Sequence, residues 1–161
     1  MEFKKATLLE LDDILVLYDN ARRFMRETGN LTQWQNGYPN KNLIAEDIKK
    51  GQLYILEDNG EISAVFVYFK GVEPDYEQID GKWLNDKPYG VLHRICVAKK
   101  GNGIAAKCFE FAYLDCKNLK IDTFPDTKIM QHTLEKNGFV RCGTVLVDKI
   151  NRCIAYQKSG L

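Results

Sequence analysis

The sequence predicts a mixed α/β fold: one domain over residues 1–161, a sheet and its helices in the order β-α-α-β-β-β-α-β-α-β-β. Three observations carry this. Apolar residues recur at helical spacing from Leu8 to Met25. Two strand-like runs, Leu53–Glu57 and Glu61–Phe69, flank Asp58-Asn59-Gly60, a strong hairpin turn. A mostly apolar strand, Val91–Val97, runs through a glycine-rich turn into a second apolar helix.

The elements follow in chain order. Glu2–Ala6 reads as a first strand. Leu8, Leu11, Ile14, Leu15, Leu17, Tyr18, Ala21, Phe24 and Met25 then form a stripe that ends near Gly29. Gln33-Trp34-Gln35-Asn36-Gly37-Tyr38-Pro39 is a polar and aromatic loop. Asn42 is the expected N-cap of a short helix through Lys50, closed by Gly51. After the hairpin, Gly71–Lys87 breaks every periodicity with its prolines and acids, and a long connection of this kind often carries function. The central strand and helix follow it. Lys120–Thr123 is a short strand, and Asp126 is the expected cap of a helix reaching Asn137-Gly138. Phe139–Val147 and Arg152–Gln157 close the chain as a hairpin. That hairpin could leave an edge strand through which two copies dimerise.

Composition narrows the function classes. Lys+Arg of 23 against Asp+Glu of 22 gives a net charge of +1, with no overall field to draw nucleic acid or an anionic membrane. No run is long enough to span a bilayer. The residues after Met1 lead into an acidic helix and not into an apolar signal core, so the expected location is the cytoplasm. The five cysteines are odd in number and lack a Cys-x-x-Cys, and several lie in apolar patterns where a thiol acts as a small hydrophobe. No His/Cys pair has metal-ligand spacing, so no metal is expected.

The chemistry concentrates at Lys100-Gly101-Asn102-Gly103-Ile104-Ala105. A turn of this composition aims backbone N–H groups at one point, and the following helix start adds partial positive charge there. Glycine permits the backbone angles and the close approach. The segment is therefore a diphosphate cradle or an ordinary tight turn before a helix. Gly101-x-Gly103-x-x-Ala106 with Asp122 downstream also matches a dinucleotide fingerprint on paper. That fingerprint needs a strand feeding directly into its first glycine, whereas Ala98-Lys99-Lys100 intervene here.

The same segment resembles the Gln/Arg-x-x-Gly-x-Gly/Ala pyrophosphate loop of the GNAT superfamily of N-acetyltransferases, with Lys100, Gly103 and Ala105 in its slots. Lys136-Asn137-Gly138-Phe139 is similar to the Lys-x-Gly-Phe ending of that superfamily's last long helix. Asp122-Thr123-Phe124-Pro125-Asp126-Thr127-Lys128-Ile129-Met130, His93-Arg94-Ile95, Gln33-Trp34, Tyr38-Pro39, Cys142-Gly143 and Ala155-Tyr156-Gln157-Lys158 resemble a bacterial subgroup. The resemblance covers essentially the whole chain. It implies a mostly antiparallel sheet with a splayed central strand pair and acetyl-CoA as co-substrate. Ile95, Cys96 and Val97 would lend backbone groups to the pantetheine arm, and Lys100 through Ala105 would hold the diphosphate. Thr127 and Lys128 would approach the cofactor from the final helix. It also implies direct attack by an amine in a ternary complex. Two departures stand out: Leu134 occupies the position where many relatives carry a tyrosine acid, and the turn between Val97 and Gly101 is two residues shorter than usual.

Candidates for proton chemistry are few. His93 lies in the central strand, with Arg94 expected on the opposite face; it is either a catalytic group or a core histidine bonded to a carbonyl. Glu73 and Asp75, with Glu77, are loop acids that could deprotonate an amine through water, or merely solubilise the loop. His132 falls on a polar helix face. Trp34, Tyr38, Tyr76 and Trp83 either wall an acceptor pocket or pin their loops to the core. A thiol nucleophile at Cys96 would need exposure that its strand position denies. The expected function is acetyl transfer from acetyl-CoA to a primary amine, on a small molecule or a peptide. The alternatives are a CoA-binding sensor domain without turnover and a nucleotide-binding oxidoreductase.

Overall fold

Eight strands and four α-helices form among the described residues: β1 (Glu2–Lys5), α1 (Leu11–Glu27), α2 (Lys41–Lys49), β2 (Leu53–Asp58), β3 (Glu61–Lys70), β4 (Ile79–Gly81), β5 (Gly90–Val97), α3 (Ile104–Cys116), β6 (Asn118–Thr123), α4 (Lys128–Lys136), β7 (Val140–Val147) and β8 (Asn151–Ser159). The computed structural model describes residues 1–31, 33–35 and 37–161; Asn36, part of the expected aromatic loop, lies outside them. The chain divides into two compact units, Met1–Tyr68 with Arg94–Cys108 and Phe69–His93 with Phe109–Leu161.

In the first unit β1 and β3 flank β2, both antiparallel to it, and the strand order continues from β3 to β5. The Ala98 N–H donates to the Ser63 carbonyl at 2.9 Å where β5 ends. α1 starts after a capping box in which Thr7 and Glu10 satisfy each other's backbone N–H groups, the Thr7 N–H reaching Glu10 Oε1 at 2.9 Å. Its apolar stripe buries Ile14 and Tyr18 completely, and burying a side chain of this size contributes about 1.5–3 kcal/mol. α2 is capped by Asn40, whose side chain accepts from the Leu43 N–H at 2.9 Å, and not by Asn42 as the sequence suggested. Two asparagines two residues apart offer the same cap chemistry. The one with extended backbone before the first helical residue takes it.

In the second unit the strand order is β5-β6-β8-β7-β4. β6, β8, β7 and β4 pair antiparallel in turn, whereas β5 and β6 are parallel. The parallel pairing is confined to Gly90 with Leu119 and Val91 with Lys120, so the two strands stay in register over a short stretch. β4 corrects the sequence reading: Ile79–Gly81 is a strand within what looked like a long connection, and it pairs with Gly143–Val145 on the outer side of β7. The pairing depends on two glycines: a Cβ on Gly81 would lie 2.3 Å from the Cys142 carbonyl oxygen, and one on Gly143 would lie 2.2 Å from that of Asp80. α4 is preceded by Thr127 and not by Asp126, one residue from expectation.

A buried polar network anchors the connection before β5. Asn118 Nδ2 donates to Asn85 Oδ1 at 3.1 Å and to the Pro88 carbonyl at 3.0 Å. Gln157 Nε2 donates to Asn118 Oδ1 at 2.8 Å and Gln157 Oε1 accepts from the Leu84 N–H at 2.8 Å. Asn118 and Gln157 are fully buried, and with every bond made they fix the loop to one place on the sheet.

Candidate active site

The glycine turn lies in the first unit. Gly101 and Gly103 have φ of +88° and +69°, values that favour glycine, and a Cβ on either would meet no atom within 4 Å. The protein therefore leaves that side of the turn clear. Gly103 also starts α3, its carbonyl accepting from the Lys107 N–H at 3.3 Å, so the first-turn N–H groups lie just beyond the turn. Ala105 and Ala106 keep that first turn small. Lys100 is exposed, with Nζ 4.9 Å from the centre of the Phe24 ring. These residues fit the diphosphate of a CoA ester.

Upstream of the turn, Ile95 and Val97 are partly buried in β5 and Cys96 is 5% exposed. The Cys96 thiol donates to the Leu17 carbonyl at 3.4 Å, and burial pushes it up to about 11, outweighing Lys100 and Arg22. Such a thiol is no nucleophile at neutral pH. Arg94 has φ +49°, which interrupts the strict alternation expected of β5. Its guanidinium pairs with Asp47 and donates to Tyr38 Oη at 3.1 Å. Trp34, 7% exposed, packs edge-on against Tyr18 with ring centres 5.4 Å apart. Trp34 and Tyr38 thus each have a packing role within this unit.

The acid–base candidates come together in the second unit. His93 Nε2 lies 3.2 Å from Glu73 Oε2, and both side chains keep partial access to solvent, 23% and 18%. The partner at Nε2 is thus a carboxylate. Glu73 precedes a short 3-10 turn, Pro74–Tyr76, and its Oε1 accepts from the Asp75 N–H at 3.4 Å. The Glu73 N–H donates to Tyr89 Oη at 3.0 Å. Asp75 is engaged elsewhere, its Oδ2 accepting from the Asp148 N–H at 3.4 Å. Tyr76 is 2% exposed and its hydroxyl donates to Asp122 Oδ2 at 2.6 Å; burial drives the phenol well above its ordinary range. Trp83 Nε1 donates to the Tyr76 carbonyl at 3.0 Å. Thr127 and Lys128 stand at the start of α4, and Leu134, on the same helix, is fully buried. His132 is exposed, as its place on the polar face of α4 suggested.

Two residues of this cluster were not among the acid–base candidates of the sequence reading. Asp122 and Lys120 belong to β6, where Asn118, Lys120 and Asp122 are polar at every second position and alternate with Leu119 and Ile121. That period-two polar stripe was the available signal. Burial raises the Asp122 carboxyl, while His93 and the Tyr76 hydroxyl hold it down. Lys120 Nζ sits 4.3 Å from the Trp83 ring centre and 3.9 Å from that of Tyr89. Among the described residues no group of His, Cys, Asp and Glu could hold a metal ion, and no helix is long and apolar enough to cross a membrane.

No protein-family model matches the chain, and no curated protein matches it. Solved structures do. A GNAT-family acetyltransferase of Streptococcus agalactiae is 31% identical, with a TM-score of 0.91 over 99% of this chain and 95% of that chain. A GNAT-family acetyltransferase of Listeria monocytogenes is 20% identical, with a TM-score of 0.72 over 98% of this chain and 93% of that one. AAC(6')-Ib, solved with ribostamycin and coenzyme A, is 17% identical, with a TM-score of 0.68 over 98% and 92%. The last two show likeness of fold alone.

Proposed function

The chain belongs to the GNAT family of acetyltransferases and is an acyltransferase, and from that premise we propose that it moves an acetyl group from acetyl-CoA to a primary amine by direct attack, with Glu73 and His93 removing the proton. The 3.2 Å approach of His93 Nε2 to Glu73 Oε2 is the observation that carries the reading. An amine is a nucleophile only once neutral, and at neutral pH an alkylamine is mostly protonated. A carboxylate paired with an imidazole can take that proton directly or through one water, and partial exposure lets the proton leave to solvent. Asp75, committed to Asp148, has the lesser part.

Acetyl-CoA supplies the activated acyl group. Lys100, Gly101, Asn102, Gly103, Ile104 and Ala105 would take its diphosphate on main-chain N–H groups, and Ile95, Cys96 and Val97 would meet the pantetheine arm through their backbone. Thr127 and Lys128 are the expected partners from α4, and Trp34, Tyr38, Tyr76 and Trp83 the expected surroundings of the acceptor. Leu134 has no proton to give, so the departing thiolate takes one from water or another group. A second reading, a CoA-binding domain without turnover, draws on that same buried Leu134.

Calorimetric titration with acetyl-CoA, with NAD as control, tests the cofactor. An amine panel with detection of released thiol tests turnover. Binding of acetyl-CoA alone with thiol release supports the transferase. Binding without release on any amine favours the sensor, and no binding removes both.

A further inference from the structure

We propose that Tyr76 and Asp122 are positioning residues: a tether from the sheet that holds Glu73 in place against His93. The inference rests on the reading of Glu73 and His93 as the proton acceptors.

Glu73 lies outside the strands, so its place is set by turn and side-chain bonds and not by a ladder. It lies between β3 and β4, in front of a single 3-10 turn, and a turn of that length has little stability of its own. Local bonds join Glu73 to the turn: its carbonyl accepts from the Tyr76 N–H at 2.9 Å and its carboxylate from the Asp75 N–H at 3.4 Å. They make Glu73 and the turn one body, which the Glu73 N–H bond to Tyr89 Oη at 3.0 Å and the Asp148 N–H bond to Asp75 Oδ2 at 3.4 Å hold from outside. Tyr76 adds the attachment to β6. Its buried hydroxyl reaches Asp122 Oδ2 at 2.6 Å, the short separation of an O–H bond to a carboxylate.

Asp122 is a firm point of attachment. It lies within β6, opposite Ala155 of β8. Tyr76 touches the other partner too, its ring centre 6.2 Å from that of His93, and its ring lies tilted against that of Trp83, centres 5.4 Å apart. One residue therefore meets both members of the pair, Glu73 through its backbone N–H and His93 through its ring. Losing the hydroxyl frees the turn to shift while leaving the ring in the core.

The test compares Tyr76→Phe, Asp122→Asn and Glu73→Gln in steady-state kinetics with acetyl-CoA and the best amine of the panel, with thermal unfolding of each. Small displacements of reacting groups cost up to about 100-fold, so Tyr76→Phe should lower kcat by about tenfold or more while KM for acetyl-CoA holds. Asp122→Asn keeps a neutral acceptor for the hydroxyl and should fall between wild type and Tyr76→Phe. It also serves as the test if Tyr76→Phe does not fold. Wild-type kcat in the tether variants, beside a Glu73→Gln that has lost activity, would overturn the tether and spare the base. A loss of stability with unchanged kinetics, or a matching rise in KM for acetyl-CoA, would likewise overturn it. A fully active Glu73→Gln would instead remove the base assignment itself.

Discussion

The Tyr18 hydroxyl donates to the Arg94 carbonyl at 2.7 Å, joining the buried face of α1 to the one residue of β5 whose backbone has turned to φ +49°. A strand residue in that conformation presents its carbonyl out of the regular ladder. Left without a partner in the interior, such an oxygen costs the desolvation of a peptide group. The Tyr18 hydroxyl, itself fully buried, satisfies it, so the bond stabilises both the helix packing and the irregularity in the strand.

Tyr18→Phe removes the donor and keeps the ring against Trp34. It should lower the unfolding free energy by about 1–3 kcal/mol, the cost of one unmet buried acceptor. Urea denaturation would show a lower midpoint at unchanged slope. An unchanged midpoint would mean that the Arg94 carbonyl has another partner in solution.

Gly103→Val addresses the diphosphate turn. No neighbour would clash with the new side chain, but φ +69° is strained for a β-branched residue and the side chain would fill the cleared space. Cooperative unfolding should persist at a stability reduced by about 1–3 kcal/mol. Calorimetry should show binding of acetyl-CoA abolished. Wild-type affinity in this variant would place the diphosphate elsewhere.

The sequence was legible wherever structure follows from neighbours in the chain. Asp58-Asn59-Gly60 announces its hairpin because Asn59 and Gly60 adopt φ of +53° and +80°, which those residue types tolerate locally. β4 was hidden because Ile79-Asp80-Gly81 is a strand by virtue of β7, more than sixty residues on, and of the close backbone approach at Gly143. The site shows the same division. His93 and Glu73 were both named from their residue types, yet their pairing across twenty positions was not, and neither was the Asp122 that anchors the turn between them. The two capping errors were slips of one or two residues, within which local chemistry does not discriminate.

Thiol reactivity separates an inert core from a thiol enzyme. Burial pushes Cys96 up to about 11 and Cys108 up to about 12. Cys153 goes up to about 12 through burial and the nearby Asp122. Partly exposed Cys116 and Cys142 should therefore be alkylated first by iodoacetamide at neutral pH, and the other three on unfolding. Intact-mass spectrometry with peptide mapping reads the order. Rapid native labelling of Cys96 would reopen the nucleophile reading.

Lys120 makes a prediction about alkaline pH. It is 5% exposed between the Trp83 and Tyr89 rings; burial lowers its pKa, and Glu77 opposes that in part. The unfolded chain holds this proton until the ordinary lysine value of 10.5, whereas the native chain releases it earlier. Between those two points the unfolded state binds more protons, so unfolding free energy from this group rises with pH. Below them the buried charge is a standing cost that the two ring faces reduce. Lys120→Met keeps the length and deletes the titration. Its stability relative to wild type should therefore be highest near neutral pH and fall steadily as pH climbs toward the lysine range. Denaturant titrations of both proteins across that range give the difference directly, since every other titrating group cancels to first order. A flat difference would show that the ring faces and Glu77 fully offset burial. A difference of opposite slope would show that the aromatic pair stabilises the ammonium beyond what water does.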